Sequence, residues 1–162
     1  MAKFVNTEAT IYWLNELING AESELIIIVP YIKTSSRIYQ SLLDADKRGV
    51  DITLVYRENK LTGVEKQKLL NLTHLNLLHH PNIHAKCYFN GDLLLIGSMN
   101  LYEFSEKNNR EMGILMHRCG IEGTEMKLGW GGDDEIEFAK AKEEIRTIIN
   151  GSTIEKLNKT KH

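Results

Sequence analysis

A continuous run of apolar, mostly β-branched residues, LIIIVP at 25–30, constrains the fold most strongly. Such a run is typical of a strand that is covered on both faces, as in a parallel sheet. A helical pattern follows, with Ser35 or Ser36 as its cap and Gly49 at its end, and then a second apolar strand at 50–56. Strand, helix and strand in this order predict a right-handed βαβ unit. We therefore expect an α/β fold with a mixed, largely parallel central sheet sandwiched by helices.

Further helices are predicted from apolar spacing and from capping residues. Thr7–Asn19 has helical periodicity and a plausible cap in Asn6. Thr62 and Glu65 form a T-x-x-E capping box that opens a short helix. Residues 135–149 form an amphipathic helix.

The 162 residues are enough for one domain with its own core. We expect that domain at 1–150, with a glycine-rich loop at 118–134 and a polar, frayed tail at 151–162. A net charge of -2 gives no global basic field, so any nucleic acid must bind a local patch. The N-terminus lacks a signal-peptide core, no apolar run is long enough to span a membrane, and the two cysteines show no disulfide framework. A cytoplasmic location is therefore expected.

Polar residues interrupt the apolar strands within IHAKCYFNGDLLLIGSMN at 83–100. His84 and Lys86 are two apart on a predicted strand and therefore share a face. An imidazole can act as nucleophile or acid and base, and an ammonium beside it can bind phosphate oxygens. Ser98 and Asn100 repeat the spacing with neutral hydrogen-bond donors, and Glu111 opens the next apolar run as a counter-ion for Lys86.

The hairpin between the predicted strands Ile83–Phe89 and Leu93–Gly97 decides whether these residues meet. A three-residue loop, Asn90 to Asp92, would pair His84 with Ser98 on one face. A two-residue loop at Asn90-Gly91 would place Ser98 on the opposite face. The functional interpretation therefore predicts the three-residue loop, or a bulge near Gly97, and assigns Asp92 to the turn.

H-A-K at 84–86, an aspartate shortly after it, and G-S-M-N at 97–100 are together similar to the H-x-K…D…G-S-x-N motif of the phospholipase D superfamily. The segment NNREMGIL, with Glu111, resembles the acidic position that follows in the small nucleases of that superfamily. The likeness covers roughly 1–117. It implies the phospholipase D/nuclease-like fold and a metal-independent phosphodiesterase without a cofactor.

The resemblance also implies roles for the residues. His84 would attack phosphorus and form a phosphohistidine, while a second histidine would protonate the leaving oxygen and then activate water. Lys86, Ser98 and Asn100 would hold the phosphate, and Glu111 would orient an imidazole. Because the chain has a single H-x-K, it supplies half of such a site. A homodimer with two His84 side chains facing each other would complete it.

The preferred function is a DNA nuclease, with DNA as the partner. Lys33 and Arg57, each just past a predicted strand end, are candidates for a nucleic-acid groove. The alternatives are a lipid phosphodiesterase or phosphatidyl transferase, and a non-catalytic nucleic-acid-binding scaffold. A zinc site is a further alternative, because five histidines and cysteines lie near His84 in the sequence or in the segments that follow it: His79, His80, Cys87, His117 and Cys119. Their spacing is not that of metal ligands, so no metal site is expected.

Overall fold

A computed structural model describes residues 2–102, 108–118 and 131–158. Its helices are α1 (Thr7–Asn19), α2 (Ser36–Lys47), α3 (Gly63–Leu70) and α4 (Gly131–Asn150). Its strands are β1 (Ala2–Val5), β2 (Glu24–Ile28), β3 (Ile32–Lys33), β4 (Asp51–Arg57), β5 (Leu75–His80), β6 (Cys87–Phe89), β7 (Leu93–Gly97), β8 (Leu101–Tyr102), β9 (Gly113–His117) and β10 (Thr153–Lys156). Most of the predicted glycine-rich loop, 119–130, lies outside the described residues.

Eight strands form the main sheet in the order β1-β9-β7-β6-β2-β4-β5-β10, and β3 pairs with β8 separately. The α/β class with a mixed sheet flanked by helices is confirmed. The expectation of a largely parallel sheet is corrected, because in the main sheet only the β2–β4 and β4–β5 pairs are parallel. A tight hairpin joins β6 to β7, and such a connection can only produce antiparallel neighbours.

Two apolar clusters cover the two faces of the sheet. One cluster includes Leu17 of α1, Leu42 of α2 and Leu54 of β4. The other packs Phe138 and Ile145 of α4 against the opposite face, where the rings of Phe138 and Phe89 lie 5.8 Å apart. The continuous apolar run in β2 is explained by this arrangement, since successive residues enter opposite clusters.

The predicted helix caps are confirmed, with one exception. The N–H of Ala9 donates to Oδ1 of Asn6 (2.9 Å), and the N–H of Ile38 donates to Oγ of Ser35 (3.2 Å). Thr62 caps α3, but the second half of the predicted capping box is wrong. The carboxylate of Glu65 instead accepts hydrogen bonds from the N–H (2.9 Å) and the hydroxyl (2.7 Å) of Thr34, and thereby holds the β3–α2 connection against α3.

Both outer strands of the sheet were missed by sequence reasoning. β1 pairs with β9, and β10 pairs with β5 through an irregular register between Ile154 and Lys156. The prediction of a frayed tail is therefore wrong for Thr153–Lys156. The Lys156 ammonium group donates to the backbone carbonyls of Leu72 (2.9 Å) and Leu75 (3.1 Å), which anchors this polar strand without apolar side chains.

Candidate active site

The hairpin between β6 and β7 turns on Asn90. Its N–H donates to the carbonyl of Leu93 (3.1 Å), and its Oδ1 accepts from the N–H groups of Asp92 (3.0 Å) and Leu93 (2.8 Å). Gly91 has a positive φ of 99°, which glycine adopts without strain. The predicted three-residue loop is therefore wrong. The loop has two residues, Gly91 and Asp92, because the Asn90 side chain closes the turn one residue later than expected.

This turn shifts the register by one residue. Cys87 lies opposite Ile96, and the N–H of Gly97 donates to the carbonyl of Lys86 (3.2 Å). Strand β6 begins only at Cys87, so His84 and Lys86 precede the strand and do not lie within it as predicted. Lys86 thus faces Gly97, the residue directly before Ser98. In a regular strand pair this register places Ser98 on the face opposite Lys86, so the loop that the functional interpretation requires is not the one observed.

His84 and Lys86 contact each other. The distance between Nε2 of His84 and Nζ of Lys86 is 3.4 Å, with the imidazole exposed and the lysine half-buried. An ammonium group can only donate, so a hydrogen bond here requires Nε2 to be the unprotonated ring nitrogen. That nitrogen carries the lone pair that a nucleophile or a base needs.

Ser98 and Glu111 form a separate pair, and within the described residues no hydrogen bond or ion pair joins them to His84 or Lys86. The hydroxyl of Ser98 donates to the carboxylate of Glu111, and the N–H of Met112 donates to Oγ of Ser98 (3.1 Å). Glu111 is 6% exposed, and its N–H donates to Oγ1 of Thr7 at the start of α1 (2.8 Å). Thr7 was not singled out from the sequence, since a contact across 104 residues leaves no local signal.

Gly97 allows the backbones of β7 and β9 to approach closely, which places Ser98 beside Glu111. A Cβ at this position would lie 2.5 Å from the carbonyl oxygen of Met112 and 2.9 Å from Cα of Gly113. The N–H of Ser98 donates to that same carbonyl of Met112 (3.0 Å). The first residue of G-S-M-N therefore sets the distance between β7 and β9.

Asn100 carries an unsatisfied polar atom. Its Oδ1 is buried and has no hydrogen-bond partner among the residues that the structure describes. The neighbouring Met99 is 1% exposed, and its carbonyl accepts a hydrogen bond from the hydroxyl of Tyr88 (2.7 Å). A buried amide oxygen without a partner is costly and calls for a hydrogen-bond donor. A phosphate oxygen could be bound only by Nδ2 of the same side chain, because Nδ2 is its donor.

The remaining predicted residues occupy distinct places. Asp92 lies in the turn as expected, and its carboxylate pairs with Arg118 (3.0 Å). Lys33 is exposed at the end of β3, and Arg57 ends β4, with its N–H bound to the carbonyl of Pro30 (3.2 Å). Within 2–102, 108–118 and 131–158, Glu111 makes no ion pair with Lys86, and Ser98 takes the place of that expected partner.

No group of three or more histidine, cysteine, aspartate or glutamate side chains suited to a metal occurs within the described ranges. Cys87 packs into the cluster under α4, where burial raises the pKa of its thiol to about 12. A thiol in that state is a poor ligand and a poor nucleophile. None of the helices in the described part of the chain has the length and apolar character to cross a membrane.

Comparison with known structures supports the fold. Nuc from Salmonella typhimurium, a phospholipase D family member, matches with a TM-score of 0.70 at 16% identity, over 95% of this chain and 97% of that one. NucT from Helicobacter pylori matches with a TM-score of 0.73 at 15% identity, over 95% and 99%. TrmBL2, an archaeal chromatin protein described with a novel mode of DNA binding, matches with a TM-score of 0.65 at 13% identity, over 94% of this chain and 53% of that one.

At the level of sequence, no curated protein matches significantly. The family model for the cardiolipin synthase, PLD-like domain matches residues 14–121, which include the His84–Lys86 pair and the Ser98–Glu111 pair. This match spans well over half of the 162 residues. The chain therefore belongs to the phospholipase D superfamily.

Proposed function

We propose that this protein is a metal-independent phosphodiesterase that cleaves DNA at a site completed by a second copy of the chain. The observation that carries the proposal is the 3.4 Å contact between Nε2 of His84 and Nζ of Lys86. As a hydrogen bond, the contact pairs the acceptor nitrogen of the ring with a cation that can hold the non-bridging oxygens of a phosphodiester. This combination activates phosphorus without a metal ion.

In the first step, Nε2 of His84 attacks phosphorus, forms an N–P bond and breaks the bond to one ester oxygen. The departing oxygen takes a proton from a second imidazole. That imidazole then removes a proton from water, and the resulting hydroxide attacks phosphorus and breaks the N–P bond. Lys86, Ser98 and Asn100 hold the phosphate oxygens, and Glu111 fixes Ser98 and favours the charged form of a neighbouring imidazole.

The second imidazole has to come from another chain. The sequence contains a single H-x-K, so one copy supplies the nucleophile and lacks the acid. A two-fold homodimer that brings the two His84 side chains together supplies both the nucleophile and the acid, because each chain contributes the same surface. His84 is exposed, as a residue at such a contact must be in the isolated chain.

DNA is the preferred substrate because it fits the cationic residues on this edge of the sheet. Lys33 and Arg57 are the last residues of β3 and β4, and the DNA binding stated for the structural neighbour TrmBL2 agrees with this choice. A lipid phosphodiesterase or phosphatidyl transferase is the second candidate. It is favoured by the description of the matching family model, which names cardiolipin synthase.

The decisive experiment incubates the protein in EDTA with DNA, with RNA and with phosphatidylcholine vesicles. His84→Ala is compared with His80→Ala, a matched control that removes the preceding histidine, four residues earlier and outside the site. We expect DNA cleavage that persists in EDTA and in His80→Ala and is lost in His84→Ala. Cleavage that requires a divalent metal would contradict the mechanism, hydrolysis of the lipid alone would select the second candidate, and inertness towards all three would indicate a non-catalytic scaffold.

A further inference from the structure

A polar cavity of about 380 Å³ lies at the carboxyl-terminal ends of β4 and β5, away from the His84–Lys86 pair. Its volume falls in the range of small-ligand sites. The polar side chains around it come from five segments, namely β4, the turn after it, α3, β5 and β10: Tyr56, Glu58, Asn59, Lys66, His79 and Glu155. None of these residues has a part in the proposed chemistry.

The strand registers place this cavity on the same edge of the sheet as the candidate active site. Val55, Ile28 and Cys87 form one row across β4, β2 and β6. Tyr56 and Lys86 each lie one residue beyond that row, and His79 lies opposite Tyr56 on β5. With strands about 4.8 Å apart, the cavity is roughly 10 to 15 Å from Lys86 along the edge.

Some of the polar side chains that line the cavity already contact one another, and these contacts maintain its shape. The Glu155 carboxylate on β10 is bound by the hydroxyl of Tyr56 and by the ammonium of Lys66. The His79 ring packs 6.0 Å from the Tyr56 ring at a tilt of 52°. These contacts join β4, β5, β10 and α3 around the cavity and leave other groups to meet a ligand.

The groups left over define the chemistry of that ligand. Nδ1 of His79 is buried without a hydrogen-bond partner in the described ranges, and Glu58 and Asn59 are exposed at the rim. The lining carries two carboxylates and one ammonium group, so a second phosphate would be repelled. A neutral ligand with both hydrogen-bond donors and acceptors fits this lining. An exocyclic amine is such a donor, and glutamate recognises cytosine by accepting a hydrogen bond from its exocyclic amine.

Such an amine could belong to a lipid headgroup or to a nucleobase, and the distance from the cavity to Lys86 distinguishes the two. In an amino-alcohol lipid headgroup, a two-carbon chain keeps the amine within about 5 Å of the phosphorus, by ordinary bond lengths. A cavity roughly 10 to 15 Å from the phosphate-binding lysine is out of its reach. A base a few nucleotides along a strand reaches it easily, since stacked nucleotides are about 3.4 Å apart.

We infer that this cavity is a subsite for a nucleobase with an exocyclic amine (cytosine, adenine or guanine, as opposed to thymine), located a few nucleotides from the cleaved phosphodiester. The inference rests on the proposed cleavage of DNA. It assigns to the chain a base preference at a distance from the scissile bond. His79 and Glu58 read the base, and Lys33 and Arg57 hold the intervening backbone.

The test uses single-stranded oligonucleotides with each base placed in turn at positions flanking one cleavable linkage. Bis(p-nitrophenyl) phosphate, which has no base, serves as the reference substrate, and every rate is divided by the rate on it. We expect the wild type to prefer an amine-bearing base to thymine at one position by roughly 5- to 100-fold, the range of one good base contact. His79→Ala and Glu58→Gln should each reduce that ratio to within about twofold of unity.

Matched controls separate recognition from folding. Glu22→Gln changes an exposed glutamate that precedes β2 at the opposite edge, and His80→Ala removes the neighbouring histidine. Both should keep the wild-type base ratio. Because Glu58 is exposed, its variant keeps the test informative if His79→Ala proves unstable.

The possible outcomes are distinct. A wild type that cleaves every flanking sequence equally overturns the subsite, and so does an unchanged ratio in Glu58→Gln and in a folded His79→Ala. In both cases DNA cleavage, and with it the proposed function, still stands. A wild type that hydrolyses the small phosphodiester and leaves all oligonucleotides intact removes the proposed substrate, and the subsite with it.

Discussion

The hydroxyl of Ser98 donates its one proton to the carboxylate of Glu111, thirteen residues further along the chain. In this state Ser98 has no proton left for a phosphate oxygen, and the N–H of Met112 occupies an acceptor position on Oγ. Phosphate binding through Ser98 therefore requires its hydroxyl to rotate away from Glu111. The Glu111 carboxylate is then free to accept a hydrogen bond from a neighbouring imidazole, which links the two proposed roles.

Ser98→Ala should weaken both folding and catalysis. Glu111 is 6% exposed, and loss of one hydrogen bond to a buried carboxylate costs on the order of 1–3 kcal/mol. Loss of a phosphate-holding donor should lower kcat/KM about 10- to 100-fold. Urea unfolding and phosphodiesterase assays measure the two effects, with Ser23→Ala at an exposed position as the control. Wild-type activity in Ser98→Ala would exclude Ser98 from the site.

A shared site predicts a specific response to mixing wild-type chains with His84→Ala chains. If each site needs two His84 side chains, only wild-type homodimers are active, and equal mixing after subunit exchange leaves about one quarter of the activity. Independent monomers would instead retain about one half. The measurement is activity against mixing ratio, combined with light scattering to determine the molecular mass. A linear dependence, or a monomeric mass, would argue against the shared site.

The parts of the site that could be predicted are those encoded locally. The pairing of His84 with Lys86 follows from their spacing, and the N-caps at Asn6 and Ser35 follow from capping chemistry. The hairpin loop could not be predicted correctly. Asn90 also donates through Nδ2 to the carbonyl of Leu17 (2.9 Å), so a contact with α1 helps to fix a side chain that decides the register.

Edge strands and buried carboxylates were missed for the same reason. β10 has the polar sequence TIEK, and its position depends on Lys156 reaching three carbonyls near the start of β5. Glu111 was assigned to Lys86 on the basis of charge alone, while the observed partner is a neutral hydroxyl. Spacing within one segment indicates which residues share a face, but it does not determine which polar groups meet across the sheet.

Gly97→Ala should prevent the β7–β9 approach. The new methyl group would lie 2.5 Å from a backbone carbonyl oxygen, and backbone cannot swing aside as a flexible side chain can. We expect destabilisation of roughly 1–3 kcal/mol, the usual cost of overpacking, together with loss of activity as Ser98 moves. Gly63→Ala is the control, because a Cβ at Gly63 meets nothing within 4 Å. Equal melting temperatures for the two variants would refute this account of Gly97.

Asp46 should make the stability of the fold depend on pH at the acid end. Burial alone would raise the pKa of its carboxyl, but hydrogen bonds from the backbone N–H groups of His74 (2.7 Å) and Thr73 (2.9 Å), and from the His74 ring, lower it below the ordinary 3.8. A carboxylate with a lowered pKa in the folded state stabilises the fold above its unfolded pKa. That contribution is lost as the pH falls through the folded value.

Asp46→Asn should therefore be less stable than the wild type at pH 7, by about 1–3 kcal/mol. The difference should shrink as the pH falls below about 4, where the wild-type carboxyl itself takes up a proton. Urea denaturation at pH 7 and at pH 3 measures both values. Asp44→Asn is the matched control, since Asp44 is exposed on the same helix and its carboxylate accepts from the Gln40 side chain (3.0 Å). A difference that is equally large at both pH values would show that Asp46 stabilises the fold by its shape and not by its charge.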